Sequence, residues 1–502
     1  MKELSKIDSF GTIEAESDPL LISCFEEHPA FAEALKGPRF LILGRKGSGK
    51  TALYRQVLRQ QGEGVFTMGH TFDEYPWHHH AAQAVIGVAE QEKYLHSWRY
   101  LILMTLSRIL LNEDPSIMAE ERNLDALARI EAFVTDTYGT RSPEVTQLFN
   151  PAHKLRGVKK LGLSVAGFGV DAEVAMEKLP TLYSDVNRVV QEMVVGLLNP
   201  NHRYYVCFDQ LDISFLPDDQ DYKLRLIGLL LAARSLVVAA RDAGKFVKVL
   251  VFLRSDIYDR SLLFEDKHKL TDTYSLALEW DQANDAVTLK SLMERRFAQL
   301  LEIPRDGAWE QVFDETTEMG GHQRKYAHIL DRTFKRPRDM IKFCNCVLDS
   351  HKARLAATAG LSKFSNEDVN LAHQTYSDAL LQELVDEVHK HIPDYPVYLE
   401  MVKALQYQVF TGEAFEHAYG QWQSRLKNEI SATDVLEQLH EFSIIGHYQV
   451  GGGGYGGSGY VFKYEDHRSE FNRAAQQYRV HPGLVHALNL KQGRTESERA
   501  AE

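Results

Sequence analysis

Residues Gly44-Arg45-Lys46-Gly47-Ser48-Gly49-Lys50-Thr51 fit the pattern G-x-x-x-x-G-K-[S/T] at every fixed position. The apolar run Phe40-Leu41-Ile42-Leu43 leads into it and reads as a buried strand, and Thr51 to Gln60 reads as a helix. A strand that turns through a glycine loop straight into a helix leaves few fold classes open. It predicts an α/β domain with a parallel sheet covered on both faces. The glycines let the backbone curl so that its N–H groups point at phosphate oxygens, and the helix N-terminus adds the positive end of a dipole. Lys50 is placed to reach β- and γ-phosphates, and Thr51 to hold Mg²⁺ through its hydroxyl. A Gly/Lys-rich surface turn, the competing account, leaves the flanking strand and helix unexplained.

A chain of 502 residues is too long for one core, so two or three domains are expected. The net charge of −13 argues against a general phosphate-backbone binder, and any nucleic-acid contact would need a local basic patch. Cys24, Cys207, Cys344 and Cys346 lack the paired spacing of a zinc site and read as reduced thiols. No apolar run of about 18 residues predicts a membrane span. The opening Met1-Lys2-Glu3-Leu4-Ser5 lacks a signal-type apolar segment, so a cytoplasmic protein is expected.

Tyr204-Tyr205-Val206-Cys207-Phe208 predicts a central strand with Asp209 at its C-terminal end, the edge where open parallel sheets bind ligands. Asp209 is the expected second Mg²⁺ ligand, and Asp212, in the following turn, the group that orients or deprotonates the attacking water. Many ATPases place Glu directly after the first Asp, and this chain has Gln210. Either Asp212 serves as base, or hydrolysis is slow. Val247 to Leu253 predicts a third strand ending in Arg254-Ser255-Asp256, whose polar residue would lie beside the γ-phosphate in a sheet where this strand sits between the other two. Arg254 can neutralise charge at the γ-phosphate, or it can pair with Asp256 or Asp259. Val65 to Met68 and Tyr274 to Leu278 complete the strands. No N/T-K-x-D segment is suitably placed for guanine, so ATP is the expected nucleotide; a small-molecule kinase is the remaining enzyme class.

The set Gly44–Thr51, Phe208-Asp209-Gln210-Leu211-Asp212, Leu253-Arg254-Ser255-Asp256 and Lys335-Arg336-Pro337-Arg338-Asp339 resembles the STAND/ORC-like branch of AAA-type P-loop ATPases. Within that branch it is most similar to stand-alone bacterial P-loop ATPases of defence loci, over roughly residues 1 to 350. The resemblance implies an ATP-driven switch that changes conformation or oligomeric state, a homo-oligomer, a separate effector protein, and a setting in anti-phage defence. It also implies that Arg336 or Arg338 reaches the nucleotide as a lid arginine, against a solvated turn pairing with Asp331 or Asp339. Arg295-Arg296 would act on a neighbouring subunit's nucleotide.

The domain reading is a P-loop ATPase domain over 1–280 with a helical insertion at about 85–200, a helical lid over 281–372, a winged-helix-like domain over 373–490 and a flexible tail over 491–502. In the insertion, Glu92 to Leu111 has helical spacing. Leu161 to Val170, beside Lys154, Arg156, Lys159 and Lys160, reads as a hairpin or extended arm. His78-His79-His80, taken as an extended run, would point to alternating sides and not converge on a metal. Asp434 to Phe442 predicts a helix capped by Thr433, followed by strands Ser443–Val450 and Tyr460–Tyr464 around a Gly-rich loop. That helix carries Glu437, His440 and Glu441 and is not basic, which favours protein contacts over DNA. Besides the ATP switch, two readings stand: a DNA-binding ATPase in the manner of origin-recognition loaders, and an ATP-binding scaffold without turnover.

Overall fold

The apolar runs pair into one parallel sheet. In the computed structural model the strands are β1 (Leu41–Gly44), β2 (Val65–His70), β3 (Arg203–Phe208), β4 (Phe246–Arg254) and β5 (Ser275–Ala277), in the order β2-β3-β4-β1-β5. The structure describes residues 2–60, 62–72, 77–81, 84, 89–149, 161, 179–213, 216–282, 286–356, 361–451, 457–465 and 469–493. β1 is buried at every position and β4 at all but its ends, as strands covered by helices on both faces must be. Register then decides which residues meet. Gly44 lies opposite Arg254, and Phe208 opposite Val251, so the C-terminal ends of β1, β3 and β4 open on one edge. β4 sits between β1 and β3.

The chain divides into two compact units. Glu27–Lys46 and Lys50–Leu278 form the sheet unit; Met1–Glu26, Gly47–Gly49 and Glu279–Glu502 form the other. In the sheet unit the helix Leu95–Asn112 is apolar nearly all round and buried accordingly, with Trp98 donating its indole N–H to the Arg225 carbonyl at 2.7 Å. Ile130 and Phe133 of the helix Leu124–Tyr138 belong to the same continuous core as the strands, so the long insertion shares the sheet's interior. His78-His79-His80 departs from expectation. It lies in the short helix Trp77–Ala81, not in an extended run. The His80 ring is buried against Phe149 and its Nε2 bonds Ser97 Oγ at 2.7 Å, so tertiary packing overrides the local pattern. The segment 154–174, apart from Leu161, lies outside the described residues.

The second unit is helical through its first half. Leu289–Leu301 starts from a capping box of Thr288 and Ser291, Pro337–Leu355 has proline in its first turn, and Asn366–Val388 starts from a Ser365/Asp368 capping box. Its second half holds a four-stranded antiparallel sheet, order β6-β9-β7-β8, from β6 (Val409–Thr411), β7 (Ile445–Gln449), β8 (Gly459–Val461) and β9 (Gln477–Val480). The strands β6 and β9 were not anticipated. The helix before β7 is Ala432–Glu441, and its cap is Ser431, not Thr433: the Ser431 hydroxyl accepts the Asp434 N–H and donates to the Asp434 carboxylate. The N-terminal segment packs into this unit, with Phe10 edge-on to Phe297 and its N–H on Asn345 Oδ1 at 2.8 Å. No helix among the described residues is long and apolar enough to cross a membrane.

Candidate functional site

The glycine loop closes as the motif requires. β1 ends at Gly44 and the helix Lys50–Leu58 begins at Lys50. Gly47 has φ +81° and Gly49 φ +101°, conformations that a side chain strains. Lys50 folds back over the loop, donating to the carbonyls of Gly44 at 2.9 Å and Arg45 at 3.0 Å. Burial lowers the Lys50 ammonium's proton affinity, Asp212 pulls it up, Arg254 lowers it, and Asp209 and Asp256 raise it. Lys50, Asp209, Asp212, Arg254 and Asp256 thus form one charged cluster on the sheet edge.

Asp209 follows β3 and is buried. Its N–H donates to the His70 carbonyl at 3.1 Å, which ties the end of β3 to the end of β2. Burial pushes its carboxyl up to about 6; hydrogen bonds from Thr51 and the Gln210 N–H and the charge of Lys50 act in the opposite sense, and Asp212 adds to the rise. Asp209 thus meets Thr51, and its Oδ2 is buried with no hydrogen-bond partner. A hydroxyl and a buried carboxylate with one oxygen unused are hard oxygen donors that fit Mg²⁺, which binds through one or two such groups plus phosphate and water. Among the described residues no group of three or more His, Cys, Asp or Glu forms a metal cage of its own.

Arg254 takes the pairing role expected of it. Its Nε and Nη2 grip Asp256 at 2.9 and 2.7 Å, while Nη1 reaches Asp212 Oδ2 at 3.4 Å. Asp256 fixes the guanidinium, and Arg254 in turn ties Asp212 to the sheet edge. Gln210, in the place where many ATPases carry Glu, has φ +60°.

In the second unit, which includes the loop apex Gly47–Gly49, the two candidate lid arginines separate. The Arg336 guanidinium is buried and forked onto Asp339 at 2.9 and 2.8 Å, over the Phe334 ring. Arg338 is brought to the loop apex. Its N–H approaches the Gly47 carbonyl at 3.4 Å, and a Cβ on Gly47 would stand 3.0 Å from Arg338 Cβ. Its guanidinium bonds Glu383 at 2.8 Å and the Ile13 carbonyl at 3.1 Å. Two contacts went unforeseen. Trp280 donates its indole N–H to the Ser48 carbonyl at 2.9 Å, and Glu383 holds Arg338. The Trp280 signal lay in its place just past the last strand, whereas nothing local marked Glu383. Arg295 and Arg296 both lie within the helix Leu289–Leu301 and pair inside their own unit. Arg296 is buried on Asp18 at 2.7 Å and the Phe10 carbonyl at 2.8 Å, and Arg295 bonds Glu26 at 2.9 Å.

Comparison with known proteins places limited parts of the chain. The family described as the FunZ-associated C-terminal helical domain matches residues 287–385, from just before the helix Leu289–Leu301 into the helix Asn366–Val388. The transposon gamma-delta 80.3 kDa protein of Escherichia coli (strain K12) is 22% identical over 474 residues, covering 88% of this chain. This chain spans 62% of that protein's length. The structure of the Aeropyrum pernix ORC1 protein in complex with DNA aligns over 91% of this chain and 88% of its own at 13% identity, with a TM-score of 0.31, a likeness too low to carry an argument.

Proposed function

We propose that the chain binds ATP with Mg²⁺ at the sheet edge, hydrolyses it slowly, and acts as a switch that oligomerises and controls a separate effector protein in a bacterial anti-phage system. The observation that carries the nucleotide and metal is Asp209: buried, bonded to Thr51, with one oxygen unused. In this reading Gly44, Arg45, Lys46, Gly47, Ser48, Gly49, Lys50 and Thr51 hold the phosphates, and Arg338, better placed than Arg336, senses them. Bound Mg²⁺ would neutralise charge on the β- and γ-phosphates. Asp212 would orient the attacking water and Arg254 would offset developing charge. Slow turnover follows from Gln210 and from the sharing of Asp212 with Arg254, since orienting a water competes with that ion pair. The assembly and defence setting rest on the resemblance of the motif set. The same reading divides the chain into a P-loop domain, a helical lid and a winged-helix-like end, with the helix Asn366–Val388 running across the lid's expected end at 372.

Gln210 supports a second reading, ATP binding without turnover. A DNA-binding ATPase finds less support, because Arg473 pairs with Asp434 and Glu437 on the candidate recognition helix. One experiment separates these readings: sizing and steady-state ATPase of wild type and Lys50→Ala, with and without Mg²⁺-ATP, alongside duplex binding at low salt. The proposal expects Mg²⁺-ATP to bind, to change the size of wild type only, and to be consumed slowly. Equal turnover by Lys50→Ala would overturn it.

A further inference from the structure

The sheet unit holds a cavity of about 230 Å³ at the C-terminal end of β2, with a chemistry distinct from the phosphate site. Its walls come from β2, the helix Leu95–Asn112 and the segment entering the helix Val145–Phe149. Met68, Met104, Val145 and Leu148 make the interior apolar, and the two thioethers adapt readily to an inserted side chain. The lining also includes one cation and one anion from different elements, Arg108 and Glu144, both solvent-exposed. Neither forms an ion pair among the described residues.

We infer that this cavity is a binding site for a free apolar α-amino acid, with its side chain among the methionines, its carboxylate on Arg108 and its ammonium on Glu144. The volume fits. Sites for drug-sized ligands run about 300–1,000 Å³, so this one suits a single small molecule. The charges fit as well. An α-amino acid carries both of its charges on one carbon beside an apolar group, and charge-assisted bonds to each would fix its orientation. His70 lines the same cavity, with Nε2 2.9 Å from Thr105 Oγ1. The His70 carbonyl also accepts the Asp209 N–H, so the cavity lies one hydrogen bond from the proposed metal ligand. An occupant there would alter nucleotide turnover; only this consequence rests on the ATPase reading.

The test is calorimetric titration of the full chain, without nucleotide, with L-methionine, L-leucine and L-phenylalanine up to about 10 mM. Saturable binding is expected for at least one. N-acetyl-L-methionine, L-methioninamide, Arg108→Ala and Glu144→Gln should each weaken it by at least about tenfold, the effect of losing one charged bond. Both variant positions are exposed, so the fold is retained, as circular dichroism would verify. No saturable heat from any of the three, or equal binding of the capped compounds, overturns the site. Binding that leaves the ATPase rate unchanged overturns the coupling to Asp209.

Discussion

Replacing Asp209 by Asn should make the nucleotide-free protein more stable while abolishing its Mg²⁺-dependent affinity for ATP. The magnitude follows from the carboxylate's surroundings. Burial moves the carboxyl from 3.8 to about 6, and each tenfold change in proton affinity is about 1.4 kcal/mol, so ionised Asp209 costs the folded state about 3 kcal/mol. The amide keeps an oxygen for the Thr51 hydroxyl but leaves its NH₂ without a partner, as Oδ2 is now. That returns about 1 kcal/mol of the gain. A net stabilisation of about 2 kcal/mol remains, a rise in Tm of about 4–8 °C. The sign with pH is fixed. Between about 4 and 6 the unfolded carboxyl is ionised and the folded one is not, so wild-type stability falls as pH rises through that window and levels off above it. The difference between the proteins should therefore be small at pH 4.5 and full at pH 7.5. Urea denaturation in EDTA across that range reads it, and calorimetry with Mg²⁺-ATP reads the lost binding. An Asp209→Asn protein less stable than wild type at pH 7.5, or one that keeps Mg²⁺-dependent ATP affinity, refutes the reasoning.

Asp212→Asn should lower kcat by at least about tenfold with KM for ATP within about twofold, because the residue is assigned to the water and not to the phosphates; equal losses in binding would remove it from that role. Arg296→Met should destabilise the second unit by about 3–5 kcal/mol in urea, since it strands the buried Asp18 carboxylate, and Asp18→Leu added to it should recover most of that loss. Burial, aided by the Arg332 charge, holds His328 and His373 down at about 3, with their Nε2 atoms 3.0 Å apart. Their unfolded forms take up protons below about 6.5 while the folded forms do not. Stability should fall by about 2 kcal/mol per histidine from pH 6.5 to 5, and His328→Phe should flatten that slope in denaturation curves.

The parallel sheet was legible because its strands are local apolar runs, whereas the place of β4 between β1 and β3 rests on pairing between distant segments. The antiparallel sheet was half legible. β7 and β8 flank a visible glycine loop, but β6 is three residues long and pairs with β9 across a long stretch of chain, so no local pattern announces either. Packing also settled choices that residue type left open. Ser431 and Thr433 both suit a cap, and Ser431 wins by its reciprocal bond with Asp434. In Arg336-Pro337-Arg338-Asp339, proline at the first helical position makes Arg336 the cap residue, and its fork closes on Asp339. Arg338, one step past the proline, is left for the loop apex.

If nucleotide binds at this edge as proposed, the charged cluster gives that binding a way to act as a switch. Lys50 donates to the Gly44 and Arg45 carbonyls, and Arg254 to Asp256 and Asp212. The cations are already satisfied, and the deficit lies on Asp209, whose unused oxygen suits a metal and not another donor from the chain. ATP could not simply dock onto free cations. It would have to draw Lys50 off its own loop while Mg²⁺ takes up the Asp209 oxygen. Each trade exchanges a bond within the protein for one to the ligand, so the net affinity is smaller than the contacts suggest. What the exchange does change is geometry: the loop carbonyls released by Lys50 are free to turn, and the loop apex is the part of the motif that packs with Arg338 and Trp280. In the proposed reading, phosphate binding would thereby be coupled to loop conformation, and loss of the γ-phosphate would let Lys50 return.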